Sequence, residues 1–399
     1  MLASLALIFL LGLAAALLCQ RFKLPSIIGL LAVGIVLGPH LLNWLDPSIL
    51  AISADLRKIA LIIILLKAGF SLNLQDLKKV GRPALLMAFL PSTLEILAFT
   101  FIGPYLFKID YLEAALMGSV LAAVSPAVTV PKMVKLIETK YGTAQSIPQL
   151  ILASASCDGI FAVVIFSTLL SIAQGSSLHI VDLAKMPVSV ITGILAGAIL
   201  GYLLNIGFEA AYQKHHHMRG SLKVIVVLGM SFALVSLENC LQQYVAFSGL
   251  LAIVSMACIL KQQGNSKVTG RLAEKFGKLW FAAELILFVL VGAAVDINYA
   301  LAAGFSALAM IAVALIFRAI GVYCCLMATD INLKERLFCA FAYIPKATIQ
   351  AAIGSVPLAV GLPCGQIILS VAVLAILLTS PLGELCLELS YKKLLQKED

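Results

Sequence analysis

A chain that crosses a bilayer repeatedly must satisfy its backbone N–H and C=O groups internally, so it crosses as helices or as a closed barrel. Residues 146–173 (SIPQLILASASCDGIFAVVIFSTLLSIA) impose that constraint: the run is almost wholly apolar and long enough to span as a helix. Comparable runs cover roughly 2–19, 25–43, 57–75, 82–106, 111–134, 186–207, 221–239, 243–261, 276–295, 299–328, 336–360 and 366–390, about thirteen helices in all. Only 12% of residues are charged and mean hydropathy is +1.06, against about 25% charged in soluble domains. The class is an all-α polytopic membrane protein.

Other classes are excluded in turn. The net charge of +8 comes without a long basic run or aromatic-basic interleaving, so nucleic acid is not an expected partner. The nine cysteines form no CxxC pair and no zinc spacing. No GxxxxGKS loop, metal motif or catalytic triad stands out, so no nucleotide, no cofactor and no enzymatic activity are expected. The first run has no clear cleavage site and reads as helix 1, not as a removed signal.

With the N-terminus outside and the C-terminus in the cytoplasm, only Arg57, Lys58, Lys108 and Lys185 among the Lys and Arg residues fall in outward loops. Nearly all the rest fall inward, as the positive-inside rule requires. Lys67, Arg318 and Lys346 lie within spans. Lys67 is near an inner end and can snorkel. Thirteen helices divide as six, one and six with opposite sense, the pattern of an inverted repeat. Helix 5 then matches helix 12. Helix 5 carries Ser125, Pro126, Thr129 and Pro131; helix 12 carries Pro345, Lys346, Gly354 and Pro357. Proline frees backbone groups at membrane depth, and two interrupted helices at matching places point to a midplane site. Ordinary proline kinks are the alternative.

Ionisable groups at membrane depth are costly, by about 3 kcal/mol on insertion scales. Asp158 sits near the middle of its span, and Glu95 of helix 4 matches Arg318 of helix 11. Glu95 and Arg318 can neutralise one another. Glu284 reads as an acid facing water near the inner side, Glu113 and Asp296 as interfacial, and His215, His216 and His217 as a polar loop that could sense pH.

Several stretches resemble a known family. RFKLPSIIGLLAVGIVLGPHLL (21–42) resembles the opening of cation:proton antiporter-2 members. VGRPALLMAFLPSTLEILAF (80–99), AAVSPAVTVPKM (122–133), ASASCDG (153–159), YIPKATIQAAIGS (343–355) and, more loosely, LLTSPLGELCLE (377–388) resemble the NHA-type sodium/proton exchangers within it. The resemblance implies a homodimer working by alternating access, with two crossed, broken helices in a core that moves, as an elevator, against a dimerisation domain. By position, residues 1–81 and 221–295 would form the scaffold, 186–207 the linker, and 82–173 with 299–390 the core. It also implies that Asp158 is the first of two adjacent aspartates, that Lys346 pairs with it, and that Glu95 and Arg318 form a buried pair. The sequence departs at the second aspartate, where Gly159 stands. The remaining cation ligands would be Asp158, Ser154, Ser156, Thr129 and carbonyls freed around Ser125 to Val128.

The expected function is exchange of a monovalent cation, Na⁺ or else Li⁺ or K⁺, for H⁺ across a cell (inner) membrane. A cation taking Asp158 would leave Lys346 unpaired and able to release its proton, so exchange would be near-electroneutral. A permanent Asp158–Lys346 pair is the static alternative. A symporter or uniporter of an organic or anionic solute on the same fold is the competing reading, and a non-transporting membrane sensor fits the small loops less well.

Overall fold

The computed structural model describes residues 1–22, 24–71, 81–174, 180–215, 220–241, 247–264, 266–296 and 304–398. Within these the chain is all helical, with one isolated antiparallel bridge and no strand. Eight described helices are long and apolar enough to cross a membrane, and four apolar helices are shorter.

Residues Met1–Arg57, Leu74–Gln174 and Leu285–Asp399 make one compact unit. Its described helices begin with α1 (Leu2–Arg21), α2 (Ser26–Leu37), α3 (Pro47–Ala51) and the start of α4 (Ser53–Ser71). Then come α5 (Arg82–Met87), α6 (Leu90–Phe107), α7 (Tyr111–Leu121), α8 (Pro126–Glu138) and α9 (Ile147–Ala173). The second unit, Lys58–Asn73 with Gly175–Glu284, holds the rest of α4, α10 (Ile180–His215), α11 (Gly220–Leu241), α12 (Gly249–Gln263) and most of α13 (Ser266–Ala293). The end of α13 returns to the first unit. It is followed there by α14 (Gly304–Leu326), α15 (Leu333–Ala342), α16 (Thr348–Gly354), α17 (Val356–Ala359) and α18 (Gly365–Leu394).

Several expected spans have different bounds. Helix 2 stops at Leu37, because Gly38 turns extended ahead of Pro39. Helix 4 is two helices, interrupted at Ala88 and Phe89 before Pro91 in the first turn of α6. Helix 7 is far longer than 186–207: the 36 residues of α10 rise about 54 Å at 1.5 Å each, beyond the roughly 30 Å of hydrocarbon. His216 and His217 lie outside the described residues.

The two matched helices are interrupted in the same way. Each first half opens on a capping box. Asp110 accepts the Glu113 N–H at 2.8 Å while Glu113 accepts the Asp110 N–H at 3.2 Å. Asn332 and Glu335 repeat the exchange at 3.0 Å both ways. Helix α7 runs 11 residues and α15 runs 10 before the chain leaves the helix, at residues 122–125 and 343–347. Pro126 then opens α8, where its missing N–H is one of the unpaired donors in any case. The expectation that Pro131 marks the break is corrected: residue 131 lies within α8, so the interruption is complete before Pro126. The side chains of Pro126 and Pro131 lie outside the described set. Pro345 sits in the second extended segment, Gly354 ends α16 and Pro357 falls in the first turn of α17.

Close packing uses small residues, as it must where lipid gives helices no hydrophobic reason to associate. In the second unit Gly193, Gly197 and Gly201 of α10 lie against backbone carbonyls of Ser248, Ala252 and Met256. Ser255 donates to the Ile194 carbonyl at 2.8 Å. Ile191, Leu195, Ile199 and Leu203 on α10 are exposed, as contact with lipid requires. In the first unit Gly321 of α14 lies against Pro91 of α6, with a Cβ there only 2.6 Å from the Pro91 Cα.

At the end of α18 Lys132 of α8 pairs with Glu388 and lies 4.2 Å from the Tyr391 ring. Beyond it Gly142 donates to the Gln396 carbonyl at 2.7 Å and Glu398 to the Lys140 carbonyl at 2.9 Å.

Because backbone faces backbone at Gly321, Gly321→Ala is expected to cost about 1–3 kcal/mol by overpacking and to lower the melting temperature of the purified protein. Gly207→Ala, with open space at its Cβ, is the control and should hold or raise it.

Candidate functional site

The two extended segments lie against one another. Ser125 N–H donates to the Pro345 carbonyl at 2.8 Å. Gln350 binds both segments: its amide donates to the Ala123 carbonyl at 2.6 Å, and its oxygen accepts the Ala347 N–H at 2.8 Å. Lys346 N–H donates to Thr379 Oγ1 at 3.0 Å. Backbone groups freed by the breaks are thus taken up by side chains, as buried backbone requires.

Four ionisable side chains gather beside these segments. Glu95 comes from α6, Asp158 from α9, Arg318 from α14 and Lys346 from the second extended segment. None is more than 2% exposed. Arg318 is the centre. Its Nη1 lies 2.6 Å from Glu95 Oε2, and its Nη2 lies 2.7 Å from Asp158 Oδ2. Its Nε donates to the Tyr343 carbonyl at 2.8 Å, and Nη1 also donates to the Ala122 carbonyl. The Tyr343 ring lies 5.1 Å from the guanidinium carbon. Lys346 Nζ meets both Glu95 oxygens, at 2.8 and 2.7 Å.

This arrangement corrects the expected pairing. Among the described residues no ion pair joins Asp158 to Lys346; Asp158 pairs with Arg318, and Lys346 pairs with Glu95. The reason is the shape of guanidinium, whose fork reaches two carboxylates at once where an ammonium acts as a point charge. The four groups form a line, Asp158–Arg318–Glu95–Lys346, with formal charges that cancel.

Asp158 has no idle oxygen. Oδ2 also accepts the Val124 N–H at 2.8 Å, and Oδ1 meets the Ser92 hydroxyl. Ser92 lies 2.9 Å from the Ala122 carbonyl too, so its one hydrogen is contested. Of the other expected ligands, Thr129 donates to the Ala342 carbonyl at 3.3 Å. Ser154 donates to the Leu150 carbonyl at 2.7 Å and lies 2.6 Å from the Tyr343 hydroxyl. Ser125 Oγ is buried with no hydrogen-bond partner among the described residues, as is Thr348 Oγ1. The Ser156 side chain lies outside the described set.

The position of the missing acid is crowded by the tip of an isoleucine. A Cβ at Gly159 would run into Ile349 Cδ1. Ile349 is 7% exposed and fills the space where a second carboxylate would begin. Ser92, Tyr343, Gln350 and Ile349 escaped sequence reasoning. Gln350, an amide within the apolar run IQAAIG, is the one whose composition could have signalled a role.

The family described as "Sodium/hydrogen exchanger, transmembrane" matches residues 5–388. The chain belongs to the sodium/hydrogen exchanger family. It is 31% identical over 356 residues, 87% of its length, to "Sodium/hydrogen exchanger 9B2" of Mus musculus. It is 30% identical over 384 residues, 94% of its length, to the protein of that name in Homo sapiens. The chain spans 64% of the mouse relative's length and 70% of the human one's. Its fold matches the sodium proton antiporter MjNhaP1 from Methanocaldococcus jannaschii with a TM-score of 0.85, at 21% identity over 98% of each chain. The sequence relatives support an NHA-type exchanger, and the long apolar helices support a multi-pass membrane protein.

Arg318→Met would leave two buried carboxylates against one lysine. Breaking a buried pair from one side costs about 3–5 kcal/mol, so this variant is expected to melt well below the native protein. Adding Asp158→Asn should recover part of the loss, which thermal denaturation of both variants in detergent would measure.

Proposed function

We propose that this chain is a secondary active antiporter that exchanges Na⁺ for H⁺ by alternating access, one cation for one proton. The observation that carries this reading is the buried, charge-neutral line of two carboxylates and two cations beside two interrupted helices. Asp158 is the cation-binding carboxylate, helped by Ser125, Thr129, Ser154 and Ser156. Ser125 brings a buried hydroxyl with no partner among the described residues. Lys346 is the proton-releasing group. Glu95 and Arg318 keep the remaining charges paired. The names of the sequence relatives and of the solved antiporter support Na⁺ as the cation.

An anionic substrate is disfavoured, because Arg318 and Lys346 are each already held by a carboxylate. Segments 82–173 and 299–390 would form the transporting core; 74–174 and 285–399 fall in one compact unit, together with 1–57. Residues 1–81 and 221–295 would form the homodimer scaffold and 186–207 the linker, with the core moving as an elevator. The Lys and Arg distribution supports an N-terminus outside and a cytoplasmic C-terminus in a cell (inner) membrane.

The experiment is purified protein in sealed vesicles with an imposed pH gradient, to which Na⁺, Li⁺ and K⁺ are added in turn. Na⁺ should dissipate the gradient, and Asp158→Asn should abolish the response. No response to any cation from folded, oriented protein would overturn antiport. With Lys346 the one group that releases a proton for each cation taken by Asp158, the rate should also be unchanged by an imposed membrane potential; an exchange driven by voltage would refute one-for-one stoichiometry.

A further inference from the structure

Asp158 and Lys346 do not touch, so a cation arriving at one cannot release a proton from the other by direct competition. Two groups stand between them. We infer that Arg318 and Glu95 form a relay that couples cation binding at Asp158 to proton release at Lys346, an inference that rests on the antiport reading above.

The geometry supplies each step. At rest Arg318 divides itself, with Nη2 on Asp158 Oδ2 at 2.7 Å and Nη1 on Glu95 Oε2 at 2.6 Å. Glu95 is divided too, since its Oε2 also serves Lys346 Nζ at 2.7 Å. A cation that takes the Asp158 carboxylate strips Arg318 of one of its two anions. Guanidinium keeps its proton in proteins, so Arg318 answers by turning fully to Glu95, the other carboxylate within its reach. A forked, bidentate hold on Glu95 displaces Lys346 from the same two oxygens. The ammonium is then buried without a counter-ion and gives up its proton to solvent.

Charge balances throughout. Before binding, two carboxylates face a guanidinium and an ammonium. Afterwards Asp158 holds the cation, Glu95 holds Arg318, and Lys346 is a neutral amine. One cation enters and one proton leaves. The titratable groups facing Lys346 are Glu95 of α6, Arg318 of α14 and Asp158 of α9, with Tyr343 three residues before it. The Tyr343 carbonyl holds Nε at 2.8 Å, with the ring 5.1 Å from the guanidinium carbon, and the Ala122 carbonyl holds Nη1, so the turn has to release only Nη2. Glu95 and Arg318 are thus positioning residues: they neither carry the cation nor give up the proton.

The test is the pH dependence of Na⁺ binding by the purified full chain, read from titrations at successive pH values. Within the range where the lysine titrates, native protein should bind Na⁺ about tenfold more tightly for each unit rise in pH, the slope of one proton released per cation. Glu95→Gln breaks the relay, so its affinity should be flat with pH, and Glu95→Asp should restore the slope. Should Glu95→Gln fail to fold, Arg318→Lys serves: a single ammonium cannot hold two carboxylates in turn, and the slope should flatten with the charge tally intact. A native slope in Glu95→Gln or in Arg318→Lys overturns the relay, because Lys346 would then answer to Asp158 directly. Native protein that binds Na⁺ with no pH dependence would instead overturn the antiport reading.

Discussion

A single arginine holds together what the bilayer would otherwise drive apart. Two carboxylates and a lysine within the apolar interior are each costly. Arg318 makes them affordable by presenting separate nitrogens to Glu95 and Asp158, while Glu95 keeps a hold on Lys346. Five elements converge on that side chain: α6, α9 and its own helix α14, and the two extended segments through the carbonyls of Ala122 and Tyr343. The close approach of Gly321 to Pro91 brings α14 near enough to α6 for the fork to reach. Packing and electrostatics are here one constraint, since a shift of α14 by a methyl group would displace the charge centre.

The interrupted helices serve the same end. An unbroken helix keeps its carbonyls for its own N–H groups. By leaving the helix at residues 122–125 and 343–347 the chain exposes polar backbone at membrane depth, and Gln350, Thr379 and Arg318 consume most of it. Ser125 and Thr348 hydroxyls are left over. A desolvated cation needs several oxygens, so any that entered here would have to draw others, those of Asp158 among them, away from their present partners.

Much of this was legible in the sequence because charge and proline are conspicuous in hydrocarbon. Asp158, Glu95, Arg318 and Lys346 stood out by cost alone, and SPAVTVP and PKATIQAAIG marked the interrupted helices. The partners were legible only in part: matching positions paired Glu95 with Arg318, as the structure has them, but not Asp158 with Arg318 or Lys346 with Glu95. The family resemblance implied that Asp158 meets Lys346, but side-chain reach decided otherwise: the longer, forked guanidinium interposes itself. Ser92 and Tyr343 were invisible because a serine and a tyrosine in a membrane helix are ordinary until their neighbours are known. Ile349 was invisible for a related reason. Gly159 announced a missing carboxylate, but only the packing shows that hydrocarbon occupies its place. Helix ends went astray where Gly38 or the Ala88–Phe89 interruption stops an apolar run that composition alone would continue.

The order of the four charges along the chain has a consequence for biogenesis. Both acids precede both bases. Glu95 waits 223 residues for Arg318 and 251 for Lys346, and Asp158 waits 160 for Arg318. During synthesis α6 and α9 are therefore made well before the basic side chains that hold their carboxylates in the folded chain. The first half of the chain by itself is an unfinished object. Its acids meet their basic partners only when the second half is inserted beside them, so the charge cluster is a product of late assembly and not of either half alone.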